Sequence, residues 1–262
     1  MESLFIYLAL GAFAGTLAGL FGIGGGLIIV PVLTLTFASY GFSPEVLVQM
    51  AVGTSLGTIV ITSLSSVTAH HRLGSVDWLL VTRLLPFVIL GGLIGAASAH
   101  LLPGSALRTV FGLFELAVAA QMAFFGQPAP HRRLPSLPGL GLVGTVIGSL
   151  SAMLGVGGGT LMVPFLAWCN VAMRRAVAVA AATGLPIALA GSIGYLVVGW
   201  GVTGLPERAT GYLYWPALIA IVSSSVLFAP LGARLAHRLP AAQLRRAFAA
   251  LLALLGIAML WG

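Results

Sequence analysis

Charge is what this sequence has least of: charged residues make up 6 % of its 262 residues. A soluble domain carries about 25 % charged residues, so this chain could not cover a water-facing surface. Lysine is absent, and all 12 basic residues are arginine. Apolar residues make up 59 % of the chain and the mean hydropathy is +1.10. These properties predict an integral membrane protein that has the lipid bilayer as its main partner.

The sequence also lacks the residues that metal and cofactor chemistry needs. Its single cysteine, Cys169, excludes an internal disulfide and any metal site built from several cysteines. We find no nucleophile–base signature, phosphate-binding loop or cofactor fingerprint, and therefore expect no enzyme activity, no catalytic or metal-binding residue and no cofactor. The pI near 10.8 would suit nucleic acid. We expect no nucleic-acid partner, because the arginines lie in short loops between apolar runs.

What the sequence does contain is one glycine-rich stretch that occurs twice. The first copy runs from Gly22 to Pro31 and the second from Gly155 to Pro164, without gaps, at an offset of 133 residues. A further set of residues recurs at an offset of 137: Trp78, Gly95, His100, Pro103, Leu107, Arg108 and Phe111. Repetition over this length predicts an internal duplication.

We predict an all-α polytopic membrane protein with two inverted structural repeats, residues 1–126 and 139–262. Residues 127–138 form a Pro- and Arg-rich cytoplasmic linker. Each repeat is a helical hairpin broken by its glycines, followed by three transmembrane helices. A continuous helix over residues 3–39 would be about 55 Å long, which exceeds a hydrocarbon core of about 30 Å. Each hairpin therefore spans as two tilted helices or re-enters, and both alternatives stay open. The expected full spans are 46–69, 77–101, 105–125, 174–200, 211–233 and 242–261.

The parity of crossings and the arginines predict the orientation. An odd number of crossings in each repeat makes the two repeats inverted. The side that holds most arginines is the cytoplasmic one, so both termini face outward. We expect a multi-pass protein of the cell inner membrane. The arginines placed on the cytoplasmic side are Arg72, Arg132, Arg133, Arg174, Arg175, Arg234, Arg238, Arg245 and Arg246.

The two glycine runs predict a binding site for an anion. Unwound backbone survives in a membrane only where protein buries it or water reaches it. Glycine lets a ligand approach the backbone N–H groups, and the helix that follows directs its positive N-terminal end at the break. The alternative is that the glycines only allow close helix crossing, as Gly11 and Gly15 do. The glycines that we assign to the site are Gly22, Gly24, Gly25, Gly26, Gly155, Gly157, Gly158 and Gly159.

Four hydroxyl side chains and one carboxyl group extend this predicted site. Thr54, Ser55, Thr183 and Thr160 are donors that could complete the coordination of an oxyanion. The alternative is that these residues bond the carbonyl groups of their own helices. Glu115 lies inside a predicted span and is a functional candidate by default. It fits a proton carrier, and it fits a structural pair with an arginine equally well.

These motifs together resemble the sulfite exporter TauE/SafE family of membrane permeases. The residues that carry the resemblance are Gly15, Gly19–Gly26, Val30-Pro31, Ala51–Leu56, Gly155–Gly159 and Val163-Pro164. The resemblance covers nearly the whole chain and implies an inner-membrane carrier that exports sulfite or a related organosulfur anion. Gly53 becomes Ala182 and Ser55 becomes Gly184 in the second copy, so the implied site is only approximately symmetric.

We therefore interpret the chain as a secondary transporter for a small inorganic or organosulfur anion, working by alternating access of one half against the other. One alternative is an anion channel with the same site. Another is an intramembrane enzyme or a non-transport scaffold. The sequence determines neither the driving ion nor the oligomeric state, and a homo-oligomer is one alternative.

Overall fold

The structure, a computed structural model, describes residues 2–21, 25–124, 133–236 and 241–261. These residues form ten α-helices and one two-stranded β-hairpin, and 81 % of the structure is helix. The hairpin strands are β1, Ala209–Thr210, and β2, Leu213–Tyr214, which pair antiparallel. The helices are α1 Glu2–Phe21, α2 Gly26–Ser39, α3 Leu47–Arg72, α4 Trp78–Leu101, α5 Gly104–Phe124, α6 Leu137–Met153, α7 Gly159–Trp168, α8 Met173–Val198, α9 Trp215–Ala236 and α10 Ala241–Trp261.

Five of these helices are long and apolar enough to cross a bilayer: α3, α4, α5, α8 and residues 243–261 of α10. Shorter apolar segments lie in α1, α2, α6, α7 and α9. The expectation of an all-helical polytopic membrane protein is confirmed. The span expected from residue 211 begins instead at Trp215, because the hairpin occupies residues 209–214. Residues 127–132 of the expected linker lie outside the described residues, residues 133–136 have no regular secondary structure, and α6 already begins at Leu137.

Local sequence explains where several helices begin. The Asp77 side chain accepts a hydrogen bond from the backbone N–H of Leu80 at 3.1 Å, which caps the first turn of α4. Helix α2 begins at Gly26, directly after Gly25 with a φ of 76°. Helix α7 begins at Gly159, after a turn in which Gly155 has a φ of 65°. Because L side chains rarely adopt such positive φ values, glycine is required at both places where the helical path is interrupted.

Helices α3 and α8 pack against each other in the interior, and the remaining helices surround them. The main outer pairs are α1 with α9, α4 with α6, and α5 with α10. Glycines bring the first two pairs close together. A Cβ at Gly15 would lie 2.6 Å from the Cα of Ser225, and a Cβ at Gly148 would lie 2.6 Å from the carbonyl oxygen of Val88. Any larger residue at either position would therefore push the paired helices apart.

Candidate functional site

The two glycine breaks meet in the interior of the bundle. A Cβ at Gly26 would collide with the carbonyl oxygen of Gly155 and would lie 2.9 Å from the Cα of Val156. A Cβ at Gly155 would lie 3.1 Å from the Cα of Val52 on α3. The two breaks thus touch each other through backbone, with α3 beside them. Gly22 and Gly24 lie outside the described residues.

A cavity of about 430 Å³ adjoins this meeting point. Its volume lies within the range of about 300–1,000 Å³ that is usual for small-molecule sites. Gly25 contributes from the first break, Gly157–Gly159 from the second, and Gly184 from α8. Helices α1, α3 and α9 complete the walls with Ala, Gly, Ser, Thr and apolar side chains. Among the described residues, no carboxylate lines this cavity, and His70 is the one titratable side chain that does.

Backbone N–H groups are available at the second break. Among the described residues, none accepts a hydrogen bond from the N–H of Gly157, Gly158 or Gly159. The first N–H groups of any helix lack partners within it, and together they form the positive end of the helix dipole. Since the three glycines line the cavity, these donors have no side chain to screen them from a ligand there. The arrangement suits an anion without placing a full positive charge in the membrane.

The α3 wall of the cavity carries hydroxyl groups of two kinds. Thr62 donates to the carbonyl groups of Thr58 and Ile59 in its own helix, at 3.3 Å each. Ser63 and Ser66 also line the cavity, yet their hydroxyls have no hydrogen-bond partner among the described residues. The glycine pattern gave no reason to assign these two serines to the site. The signal that could have found them is the run of hydroxyl residues along the second half of the predicted span.

The hydroxyl residues that the sequence singled out lie elsewhere. Thr54 accepts a hydrogen bond from the backbone N–H of Tyr214 at 3.0 Å. Ser55 donates to the carbonyl oxygen of Gly155 at 2.8 Å, and Thr183 donates to the carbonyl of Val179 in its own helix at 3.0 Å. The Oγ1 atom of Thr160 is buried and has no partner among the described residues. None of the four is a lining residue of the cavity, whereas four of the assigned glycines are, namely Gly25, Gly157, Gly158 and Gly159.

The β-hairpin covers one end of the bundle. Its Tyr214 ring packs edge-on against Tyr7, Phe37 and Phe42, with ring centroids 5.4–6.3 Å apart. The phenol oxygen of Tyr212 lies 3.0 Å from Nδ1 of His100 at the end of α4. Burial raises the pKa of the Tyr212 phenol, so this group stays neutral at physiological pH. The hairpin is therefore fastened to α1, α2 and α4 by these rings, and to the buried first half of α3 by the Tyr214–Thr54 hydrogen bond.

The cavity extends toward the opposite end of α3. His70 lies in the last turn of this helix and lines the cavity. It lies seven positions after Ser63, which corresponds to about 10 Å along a helix. Arg174 of α8 holds this end in place, because it donates to the Ser75 hydroxyl at 2.9 Å and to the Leu73 carbonyl at 3.3 Å. The cavity thus reaches the basic end of the molecule.

Glu115 lies apart from the cavity, between α5 and α10. Its side chain is fully buried, and neither carboxylate oxygen has a hydrogen-bond partner among the described residues. A Cβ at Gly256 of α10 would lie 3.1 Å from the Cβ of Glu115. Arg108 stands two turns earlier on α5, and its guanidinium contacts the Ala258 carbonyl at 3.5 Å. The expected alternative of an arginine partner is therefore not seen in the described part of the chain.

An all-helical membrane bundle, with a cavity at the meeting point of two helix breaks, has the architecture of a polytopic membrane transporter. Comparison with known families agrees with this class. Residues 7–259 match the family model described as "Sulfite exporter TauE/SafE". The chain therefore belongs to the sulfite exporter TauE/SafE family.

Several relatives match over nearly their whole length. A probable membrane transporter protein of Haemophilus influenzae is 34 % identical over 253 residues, with 96 % of each chain covered. A probable membrane transporter protein of Methanocaldococcus jannaschii is 27 % identical over 97 % of this chain and 94 % of its own. One of Bacillus subtilis, YunE, is 26 % identical over 90 % of both chains. No solved structure matches the chain.

Proposed function

We propose that this protein exports a small sulfur-containing anion, sulfite or a related organosulfur oxyanion, across the inner membrane. The observation that carries the proposal is the junction of the two glycine breaks beside a cavity that no described carboxylate lines. An anion in this cavity meets backbone N–H groups and hydroxyls, which bind oxyanions by hydrogen bonds. No buried cation is needed, so release of the anion is not opposed by a strong ion pair. Family membership supports the choice of a sulfur oxyanion.

We further propose that the two halves are inverted repeats that move against each other. Two matching crossings support this idea. Gly15 faces Ser225, and Gly148 faces Val88. Adding 133 to residue 15 gives 148, and adding 137 to residue 88 gives 225, so the two contacts are repeat equivalents. The helix pairs follow the same rule, since α1 with α9 corresponds to α6 with α4. Equivalent pairs could exchange their roles between an inward-facing and an outward-facing state.

In the proposed cycle, the structure corresponds to the inward-facing state. The cavity reaches the end that carries His70, Arg72 and Arg174, which the positive-inside rule assigns to the cytoplasm. The hairpin closes the other end through Thr54 and the aromatic cluster around Tyr214. A closed outer end favours a carrier over a channel, because a channel needs a path that is open at both ends at once. A channel would instead show single-channel conductance in a planar bilayer.

The test is sulfite efflux from proteoliposomes that contain the full chain. Gly25→Val and Gly158→Val should each abolish efflux, because a branched side chain would cover the N–H groups of the break. Gly41→Val is the matched control for Gly25, since Gly41 has a similar φ of 71° but has nothing within 4 Å of its Cβ position. Efflux at wild-type rates from both cavity variants would refute the site. Saturable counterflow screening with sulfite, sulfate, thiosulfate and short sulfonates then identifies the preferred anion.

A further inference from the structure

Two serines of α3, Ser63 and Ser66, lack the hydrogen bond that many hydroxyl residues of this bundle make to their own helix. A serine or threonine in a membrane helix usually bonds a carbonyl group one turn earlier. Thr34, Thr36, Thr68 and Thr109 follow this pattern here. Ser63 and Ser66 have no such bond among the described residues, and both face the cavity. Their donors are therefore free for a ligand.

Ser63 also lies opposite the second glycine break. A Cβ at Gly184 would lie 3.3 Å from the backbone nitrogen of Gly158 and 3.8 Å from the Oγ of Ser63. The amide group and the hydroxyl group therefore converge on the space that a side chain at residue 184 would occupy. In the first repeat the equivalent position is Ser55, whose hydroxyl bonds the Gly155 carbonyl at 2.8 Å. We call the space beside Gly184 the notch, and the position that matches Gly184 in the first repeat carries a side chain.

We propose that the Ser63 hydroxyl and the Gly158 N–H bind the same oxyanion at the notch beside Gly184, and that Ser66 binds it during entry. The inference rests on the proposed transport function. It assigns binding of the ligand to the second glycine break, whereas the first break supports the second by packing against it. A ligand with several acceptor oxygens can accept from the hydroxyl and the amide together, so this pair selects oxyanions over halides. Ser63 is thus a specificity-determining residue.

Binding of sulfite to the purified full chain in nanodiscs tests this proposal by titration calorimetry. Ser63→Ala and Gly184→Ala should each weaken sulfite binding by about tenfold or more, as expected for loss of a hydrogen bond to a charged group. Their effects should not add in the double variant, because both act on one contact with the ligand. Alanine favours a helix more than glycine does, so Gly184→Ala should leave the fold intact. It therefore tests the proposal even if Ser63→Ala disturbs folding. Ser223→Ala is the control, since this exposed hydroxyl bonds the Ile219 carbonyl of its own helix at 2.7 Å.

The outcomes separate this inference from the proposed function. Wild-type affinity in both single variants, with binding lost in Gly158→Val, overturns the role of Ser63 and leaves the transport site intact. Additive losses of sulfite affinity in the double variant also overturn it, because they mean that the two substitutions weaken binding independently. Absence of saturable sulfite binding in the wild-type protein overturns the proposed substrate and this inference together. A loss of sulfite affinity at Ser63 with unchanged melting of the unliganded protein supports it.

Discussion

Ser55 on α3 donates a hydrogen bond to the carbonyl oxygen of Gly155 at 2.8 Å and so connects the first half of the chain to the second glycine break. Both residues are buried. A carbonyl group released from its helix and left without a partner in a membrane interior costs free energy. The Ser55 hydroxyl offsets this cost at the point where the two halves touch.

Ser55→Ala should therefore destabilise the junction. We expect a loss of about 1 kcal/mol, because the Gly155 carbonyl loses its partner and stays buried. For a chain of this size such a loss lowers the melting temperature by about 2–4 °C. A thermal melt in detergent measures it, with Ser223→Ala as an exposed serine control. An unchanged melting temperature would mean that water or another donor replaces the Ser55 hydroxyl.

A second prediction concerns Thr54, which accepts from the Tyr214 N–H at 3.0 Å. Thr54→Val keeps the shape of the side chain but removes this acceptor. The hairpin should then open more often, and hydrogen exchange in a peptide that covers residues 207–214 should accelerate by about fivefold for a loss of about 1 kcal/mol. Mass spectrometry of the exchanged protein gives this rate.

Thr58→Val is the matched control for Thr54→Val. Thr58 lies on the same helix and is equally buried, but its hydroxyl bonds only the Ser55 carbonyl of that helix, at 2.7 Å. It should leave exchange in the hairpin unchanged. Equal acceleration in both variants would show that α3 itself had loosened and that Thr54 does not specifically fasten the hairpin.

The sequence was sufficient to predict the helical architecture and the two places where glycines interrupt it. Gly25 and Gly155 interrupt the apolar runs with φ values of 76° and 65°, so a local property of glycine located both breaks. The hairpin at Ala209–Tyr214 was not predicted, since two-residue strands have no periodicity that a sequence can reveal. The residues of the cavity wall were only partly predicted. Whether a hydroxyl such as that of Ser63 bonds its own helix or faces a cavity depends on its rotamer and on which neighbours pack there.

Glu115 provides a third prediction. We propose that it carries the proton that is coupled to anion movement, because its carboxyl group is fully buried without a hydrogen-bond partner among the described residues. Such groups inside membrane helices are frequent members of proton pathways. Glu115→Gln keeps the shape but cannot release a proton. Sulfite binding should remain, since Glu115 does not line the cavity, whereas the dependence of efflux on an imposed pH gradient should disappear.

The control for this experiment is Glu207→Gln, which removes an exposed carboxyl group from the loop before the hairpin. It should leave both binding and the response to the pH gradient unchanged. If Glu115→Gln still transports in proportion to the pH gradient, the proton follows another route. The buried carboxyl group would then have a structural role at the contact of α5 with α10.

The final prediction concerns the direction in which the cavity opens. Ser66→Cys places a thiol on the cavity wall, whereas the native Cys169 is buried and gives a low background. A membrane-impermeant maleimide should label Ser66→Cys in inside-out vesicles and leave it unlabelled in intact cells, because the cavity reaches the arginine-rich end. Thr203→Cys, in the exposed loop at the hairpin end, should show the reverse pattern. Labelling of Ser66→Cys from outside would invert the proposed topology, and with it the extracytoplasmic position of both termini, while the contact between the two glycine breaks would stand.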